Sequence, residues 1–492
     1  MHTHSDVLII GAGLSGIGMA CHLQKELPGK SFLLLERRTS VGGTWDLFRY
    51  PGVRSDSDMF TFAYAFRPWM KPTVLAEGGL IRDYLQDTAQ EFGIDAHIRF
   101  GLKVEQAAWS TAQSCWTVTA LHEETGETQT FTCNFLVSCT GYYDYDQGHL
   151  PAFPGAESFK GQCIHPQFWP DGLDYSGKKI VVIGSGATAV TLVPNMAKEA
   201  AHVTMLQRSP TYIVSVAGYG KIVQVLEKFL PRSVLYGLLR TVNIRLQRVL
   251  YKSARRWPQR VRAFLLRPVQ KALGKDFDMR HFTPHYMPWD QRVCMVPDGD
   301  LLKAIRSGQA SVVTDEIERF VDDGILLKSG QKLQADIVVT ATGLKLKTFG
   351  GLALSVDGQL VSPRELLSYR AVLMQNLPNL GFILGYTNAS WTLKSDMASR
   401  YLCRLMRYMD RQNIASATPR APNAEHTDES VMGSLSAGYV QRGQGELPRQ
   451  GRSAPWRVEH AFENDRPQLL EEAIDDGVLE FGRQAAPATA QG

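Results

Sequence analysis

Short apolar runs recur along this chain, and four of the six below run into a glycine. Residues 7–10 (VLII), 31–35 (SFLLL), 135–143 (FLVSCTGYY), 179–183 (KIVVI), 203–206 (VTML) and 336–344 (DIVVTATGL) show no alternation of polar and apolar positions over most of their length. Such runs predict strands buried on both faces, as in a parallel sheet covered by helices. Runs 97–100, 116–120 and 129–133 are strand-like but alternate, which predicts strands with one solvated face. The first and fourth apolar runs pass through a glycine-rich turn into a helical pattern, which in the first case continues through His22 and Leu23. This strand, turn and helix unit is the chain's one internal repeat, and it predicts an α/β protein. A second helical pattern covers 397–409, and from Lys221 to Arg280 apolar positions such as Val225, Leu235, Leu238, Val249, Leu250 and Phe264 are spaced as on amphipathic helices. The stretch 418–453 is polar and interrupted by Pro and Gly, and the tail beyond 483 is small, polar and expected to be disordered.

With 492 residues, 44% of them hydrophobic and 21% charged, the chain has the balance of a globular protein of two or three domains. No run approaches the roughly 20 apolar residues of a spanning helix. The first strand begins almost at Met1, which leaves no room for a signal peptide, so a soluble cytoplasmic protein is expected. Seven cysteines without a C-x-x-C pair suggest neither a disulfide framework nor a zinc site. The net charge of +4 is too small to imply nucleic-acid binding, but it is uneven. Lys221 to Arg280 holds 15 Lys or Arg against Glu227, Asp276 and Asp278, a local +12 that leaves −8 for the rest. Basic amphipathic helices of this kind lie on anionic membranes, mediate self-association, or simply present a solvated face.

The first turn is Gly11-x-Gly13-x-x-Gly16, placed after a strand and opening a helix, where a pyrophosphate can approach backbone N–H groups at a helix N-terminus. The next strand ends at Glu36, 25 residues after Gly11. A carboxylate there accepts hydrogen bonds from a ribose diol and repels a 2'-phosphate, which suits FAD. The second turn is Gly184-x-Gly186-x-Thr188-Ala189, and its partner strand ends in Gln207-Arg208 instead. A neutral residue followed by Arg removes the repulsion and supplies a forked donor, which suits NADPH, with Thr211 as an additional hydroxyl. Two Rossmann-like, dinucleotide-binding domains are therefore expected. The turn 140–141 marks where the chain leaves the first of them and 341–343 where it returns, so the FAD domain is discontinuous: 1–145 and 331–492, around an NADPH domain at 146–330 that carries a helical insertion at about 214–286.

Two further motifs narrow the reading. Residues 42–56, GGTWDLFRYPGVRSD, follow G-G-x-W-x-x-x-x-Y-P-G-x-x-x-D, and residues 159–170, FKGQCIHPQFWP, follow F-x-G-x-x-x-H-x-x-x-W-P. Together they resemble the signatures of type I Baeyer–Villiger monooxygenases, and the similarity extends nearly end to end, resembling in particular the mycobacterial branch that activates thioamide prodrugs such as ethionamide. The resemblance implies an NADPH- and FAD-dependent enzyme that inserts one oxygen atom of O2 beside a ketone carbonyl through a C4a-peroxyflavin, and that also takes sulfides or thioamides. It implies that Gly43, Thr44 and Trp45 lie along the flavin and that Arg292 is the active-site arginine, oriented by Asp56. It further implies that Phe159, Gly161, His165 and Trp169 form a linker that transmits domain motion, His165 being a hinge or packing residue. In many members a Lys precedes the arginine; here Gln291 stands there. The stretch 42–56 is free of cysteine, which argues against dithiol chemistry. Relatives that oxygenate amines and sulfides usually lack the Trp-Pro at 169–170, so an N- or S-oxygenase is a second reading. A non-oxygenating redox-responsive flavoprotein is a third. No metal is expected.

Overall fold

The computed structural model describes residues 3–217, 221–421, 426–433 and 437–483. Strand β1 (Thr3–Ile10) leads into α1 (Leu14–Glu26) and β2 (Phe32–Leu35). Helices α2 (Thr44–Leu47), α3 (Met59–Phe62) and α4 (Gly78–Glu91) precede β3 (Ile98–Arg99). β4 (Leu102–Ser110), β5 (Cys115–His122) and β6 (Thr128–Ser138) then form an antiparallel meander. β1 lies parallel between β2 and β6, with Val7 opposite both Phe32 and Phe135. The runs expected at 129–133 and 135–143 are thus one strand that stops at Ser138, with a separate strand after the turn. The change in pattern has a physical origin: on the side away from β1, the first half of β6 pairs with β5, and residues 136–138 pair with Leu380–Phe382.

The chain continues through β7 (Tyr143–Gly148) and β8 (Gln162–Ile164) to β9 (Lys179–Ile183), α5 (Ala187–Met196), β10 (His202–Gln207) and β11 (Ile213–Val216). Helices α6 (Lys221–Leu226), α7 (Arg232–Arg256) and α8 (Pro258–Leu273) follow, then β12 (Cys294–Pro297), α9 (Asp300–Arg306) and β13 (Ala310–Thr314). A small antiparallel sheet of β14 (Ile317–Val321), β15 (Gly324–Leu327) and β16 (Lys332–Gln334) precedes β17 (Ile337–Thr340). The second large sheet is parallel throughout, in the order β13-β10-β9-β17-β8. Residues 162–164, expected within a linker, are its edge strand.

β11 and β12 pair in parallel, Ile213 opposite Cys294, so the helical insertion leaves and rejoins the fold at one place. α7 is bolted to α3: Arg240 donates to the carbonyls of Phe60 and Ala63, both at 2.9 Å, and Gln247 donates to Asp58 at 2.8 Å. After β17 the chain rejoins the first sheet, where Ala353–Val356 pairs with β4. α10 (Trp391–Gln412) then packs on α1. α10 begins six residues before the helical pattern of 397–409, because its first turns bury polar side chains that hide the apolar face. Trp391 donates to Ser15 at 2.9 Å, and Lys394 lies 3.1 Å from Asp465. The polar stretch 418–453 contains the strand pair His426–Ser430 and Arg449–Gly451. The tail at 484–492 lies outside the described residues.

Candidate active site

The two glycine turns are built alike. Gly11 has φ +100°, and a Cβ there would sit 2.8 Å from the Cys139 carbonyl oxygen. Gly184 has φ +136°, and a Cβ there would sit 2.4 Å from that of Ala341. Each turn therefore lies against a strand exit of the form x-Thr-Gly, at 139–141 and at 341–343, and only glycine meets both the conformation and the contact. Gly16 closes the first turn onto the Gly11 carbonyl, and Ala189 stands buried at the corresponding place in the second.

A cleft of about 330 Å³ runs between the two units. Gly11, Gly13, Glu36, Gly43, Thr44, Trp45 and Asp56 line it from the first unit, and Thr188 and Arg292 from the second. Glu36 is buried at the end of β2, which pushes its carboxyl up, while bonds from the Arg38 N–H at 2.8 Å and the Ala12 N–H at 2.7 Å pull it back.

From Tyr50 to Asp56 alternate residues face the second unit. The Tyr50 phenol faces Thr188, which offsets in part the rise that burial gives its pKa. A Cβ on Gly52 would fall 1.9 Å from the Asn195 amide nitrogen on α5. Arg54 grips Asp300 of α9 with a fork, at 2.6 and 3.4 Å. Asp56 lies 3.5 Å from Arg292. A turn opens this segment, with the Val53 N–H on the Tyr50 carbonyl at 3.1 Å and Gly52 at φ +75°, so the spacing of these four residues is set by the turn and by their partners on the second unit. Opposite, Arg292 donates to the Tyr142 hydroxyl at 3.3 Å. Tyr439 above all, with Tyr142, Asp56 and Tyr143, holds the guanidinium above its ordinary range, so it is always charged. Burial pushes Tyr142 far up and Tyr143 to about 12, which keeps both phenols protonated at neutral pH.

The other expected residues lie outside this cleft. Gly184 and Gly186 belong to the second turn itself, of whose expected residues only Thr188 lines the cleft. Arg208 is exposed at the end of β10, beside a neighbour the sequence did not suggest, Arg442, whose pKa is lowered by burial and by the Arg208 charge. Thr211 is buried and shares its hydroxyl with Tyr286 at 3.0 Å. Phe159 packs edge-on against Phe320, and Gly161 lies where a Cβ would meet the Asp336 carbonyl oxygen at 2.3 Å. His165 hydrogen-bonds the Gly343 carbonyl through Nε2 at 3.2 Å and accepts from the Gln167 N–H at Nδ1. Its ring also fills the space over Gly148, so one imidazole touches the chain both leaving and rejoining the first unit. Trp169 packs on the core of the second sheet. Arg54 and Tyr142 were legible only as neighbours of motif residues, and Tyr439 and Arg442 carried no sequence signal.

The first unit's turn, within the cleft, suits a dinucleotide, and so does the second unit's turn at its edge, where Thr188 reaches the cleft. At Gly186 an added Cβ would meet nothing within 4 Å, and at Gly13 only the Gly43 backbone, at 3.4 Å. The Nε atoms of Arg54 and Arg292 are buried without an acceptor among the described residues, as expected of donors reserved for a bound anion or carbonyl. No cluster of His, Cys, Asp or Glu among the described residues could hold a metal.

Comparison with known proteins agrees with this architecture. The chain is 58% identical over 489 residues to the putative FAD-containing monooxygenase MymA of Mycobacterium tuberculosis, covering 99% of each chain. It is 50% identical to the probable FAD-binding monooxygenase AlmA of Acinetobacter baylyi, with 98% of this chain and 97% of that one covered. To the FAD-containing monooxygenase EthA of M. tuberculosis it is 48% identical, over 99% of each. Among solved structures, a steroid monooxygenase bound to NADP superposes with a TM-score of 0.79 at 21% identity, covering 98% of this chain and all of that one. Cyclohexanone monooxygenase from Rhodococcus sp. Phi1 bound to NADP+ gives 0.78 at 19%, with the same coverage. At those identities the superpositions establish a shared fold. Residues 4–411 match the profile of flavin-binding monooxygenase-like proteins, and with near-complete coverage of its relatives the chain belongs to that family.

Proposed function

We propose that this protein is an NADPH- and FAD-dependent monooxygenase that converts ketones to esters or lactones. One oxygen atom of O2 enters the product and the other leaves as water, with NADPH and a proton consumed. The observation that carries this reading is the Arg292 guanidinium, held between Asp56 and Tyr142 where the two units meet. Bound FAD supplies the activation of dioxygen and NADPH the two electrons, and the protein supplies position and charge. Arg292 offers a fixed positive charge to the anionic oxygen that develops when a carbonyl is attacked. Asp56 and Tyr142 orient that guanidinium, and the 50–56 segment brings the second unit over the cleft, excluding water from a step that water would divert. Glu36 and the first turn suit the FAD ribose and pyrophosphate. The Thr188 turn with Arg208, and Arg442 beside it, suits NADPH.

Trp169 and Pro170, at positions where amine and sulfide oxygenases of similar pattern differ, favour the ketone. Seven free cysteines and the absence of a membrane-crossing helix among the described residues favour a cytoplasmic setting. Purified holoenzyme given NADPH, air and a panel of linear and cyclic ketones beside thioethers and amines tests the reading by product mass. Esters or lactones formed in proportion to NADPH support it. Sulfoxides or N-oxides alone replace it with the second reading.

A further inference from the structure

The outer face of the helical insertion is apolar where a solvated helix would be polar. On α7, Val234, Leu238, Val242, Leu246 and Val249 are 48 to 61% exposed and recur every three or four residues, so they form one stripe along the helix. At its two ends stand Phe229, 77% exposed, and Trp257, 48% exposed with the Arg256 guanidinium 5.3 Å from its ring. Phe264 on α8 is 65% exposed. The opposite side of α7 is accounted for, since Leu235, Tyr236 and Ala254 are buried and Arg240 and Gln247 tie it to α3. A contiguous exposed apolar stripe on a helix already anchored from behind marks an interaction surface.

Charge identifies what covers it. Neither α7 nor α8 contains a single Asp or Glu. Among the described residues Arg245, Arg256, Arg260, Arg267 and Lys271 have no ion-pair partner, and Arg245 interrupts the stripe itself. A second copy presenting the same face would set these cations against one another, so a symmetric dimer is disfavoured. The exposed aromatics of this face stand only at the ends of α7 and on α8, and the aliphatic Val and Leu between them give no stacking surface for a run of nucleic-acid bases. A phospholipid surface meets both demands, with acyl chains for the stripe, anionic headgroups for the flanking cations, and an interfacial position for Trp257.

We infer that α7, with Phe229, Trp257 and Phe264, is a docking face for an anionic phospholipid bilayer, on which the protein lies peripherally. The anchor is close to the chemistry. α7 holds Asp58 and the carbonyls of Phe60 and Ala63, in the segment that follows Asp56 and supplies Phe62 to the cleft.

Holoenzyme floated with vesicles of phosphatidylglycerol mixed into phosphatidylcholine, and with phosphatidylcholine alone, tests this. Expected is at least roughly tenfold stronger binding to the anionic vesicles, weakened by salt. Two variants should each lose most of it with FAD content and NADPH oxidation unchanged: Leu238→Glu with Leu246→Glu, and Arg245→Gln with Arg256→Gln and Arg260→Gln. The second variant leaves the apolar stripe untouched, so a folding defect in the first does not decide the matter. No binding to anionic vesicles, equal binding to both kinds, or binding undiminished in both variants overturns the inference. So does a concentration-dependent dimer in light scattering that the Glu variant abolishes, which would give the face to a second copy.

Discussion

Asp300→Ala tests whether the 50–56 segment couples the two units. The Arg54 side chain is 7% exposed and Asp300 29%, with a fork at 2.6 and 3.4 Å. Removing one partner of a fully buried pair costs about 3–5 kcal/mol, whereas an exposed pair is worth about 0–1. With one partner buried and the other nearly a third exposed, about 2 kcal/mol is expected. Asp300 also opens α9 and accepts from the Leu301 N–H at 2.8 Å, so part of the loss, about 0.5 kcal/mol, belongs to the helix terminus. A double-mutant cycle with Arg54→Met separates the two, since the terminal contribution survives in the Arg54 background. Urea titrations of the four proteins, followed by tryptophan fluorescence and by flavin release, read the cycle, and agreement of the two probes licenses the free energies. The expected coupling is about 1–2 kcal/mol, accompanied by a rise in hydrogen peroxide per NADPH as the units part. A coupling below about 0.3 kcal/mol, or unchanged peroxide yield, refutes the role assigned to this pair.

Arg292→Ala should retain FAD and be reduced by NADPH, yet lose product formation by roughly a hundredfold, the scale of one preorganised charge donor; near-normal turnover would remove Arg292 from its role. Gly11→Ala and Gly184→Ala should separate the cofactors, the first purifying without flavin colour and the second yellow but no longer reduced by NADPH, as read from absorbance. His460 is buried and hydrogen-bonds the Val431 carbonyl, and burial lowers its pKa to about 4. The folded protein then disfavours its protonation, so stability is fully present above the unfolded value of about 6.5 and declines toward pH 4, by up to about 3 kcal/mol. His460→Gln should flatten that limb in thermal melts between pH 7.5 and 5.

The parallel strands and both glycine turns were legible because burial on two faces removes all alternation, and because a pyrophosphate-binding turn constrains glycine at fixed offsets. Glu36 and Arg208 were legible as residues closing equivalent strands, and the structure places the first in the cleft at the end of β2 and the second exposed after β10. What escaped detection was set by partners far away in the chain. β6 read as two runs because its outer neighbour changes midway. The start of α10 was masked by Thr392, Lys394 and Ser395, polar residues that are buried because Phe62, Asp465 and Ser15 receive them. Tyr439 and Arg442 reach the site from the C-terminal region, and no local pattern marks a residue whose role is conferred by tertiary contact alone. His165 shows the middle case, a motif residue visible in sequence whose purpose is clear only once Gly148 and Gly343 lie on either side of it.

The most direct test of oxygen insertion is a single turnover. Holoenzyme is reduced anaerobically with one equivalent of NADPH, then mixed with a ketone and 18O2, and the products are weighed. The account predicts one labelled oxygen in an ester or lactone for each NADPH oxidised, with little hydrogen peroxide. Stoichiometric peroxide and recovered ketone, across a panel of ketones and with NADP+ bound, would contradict it.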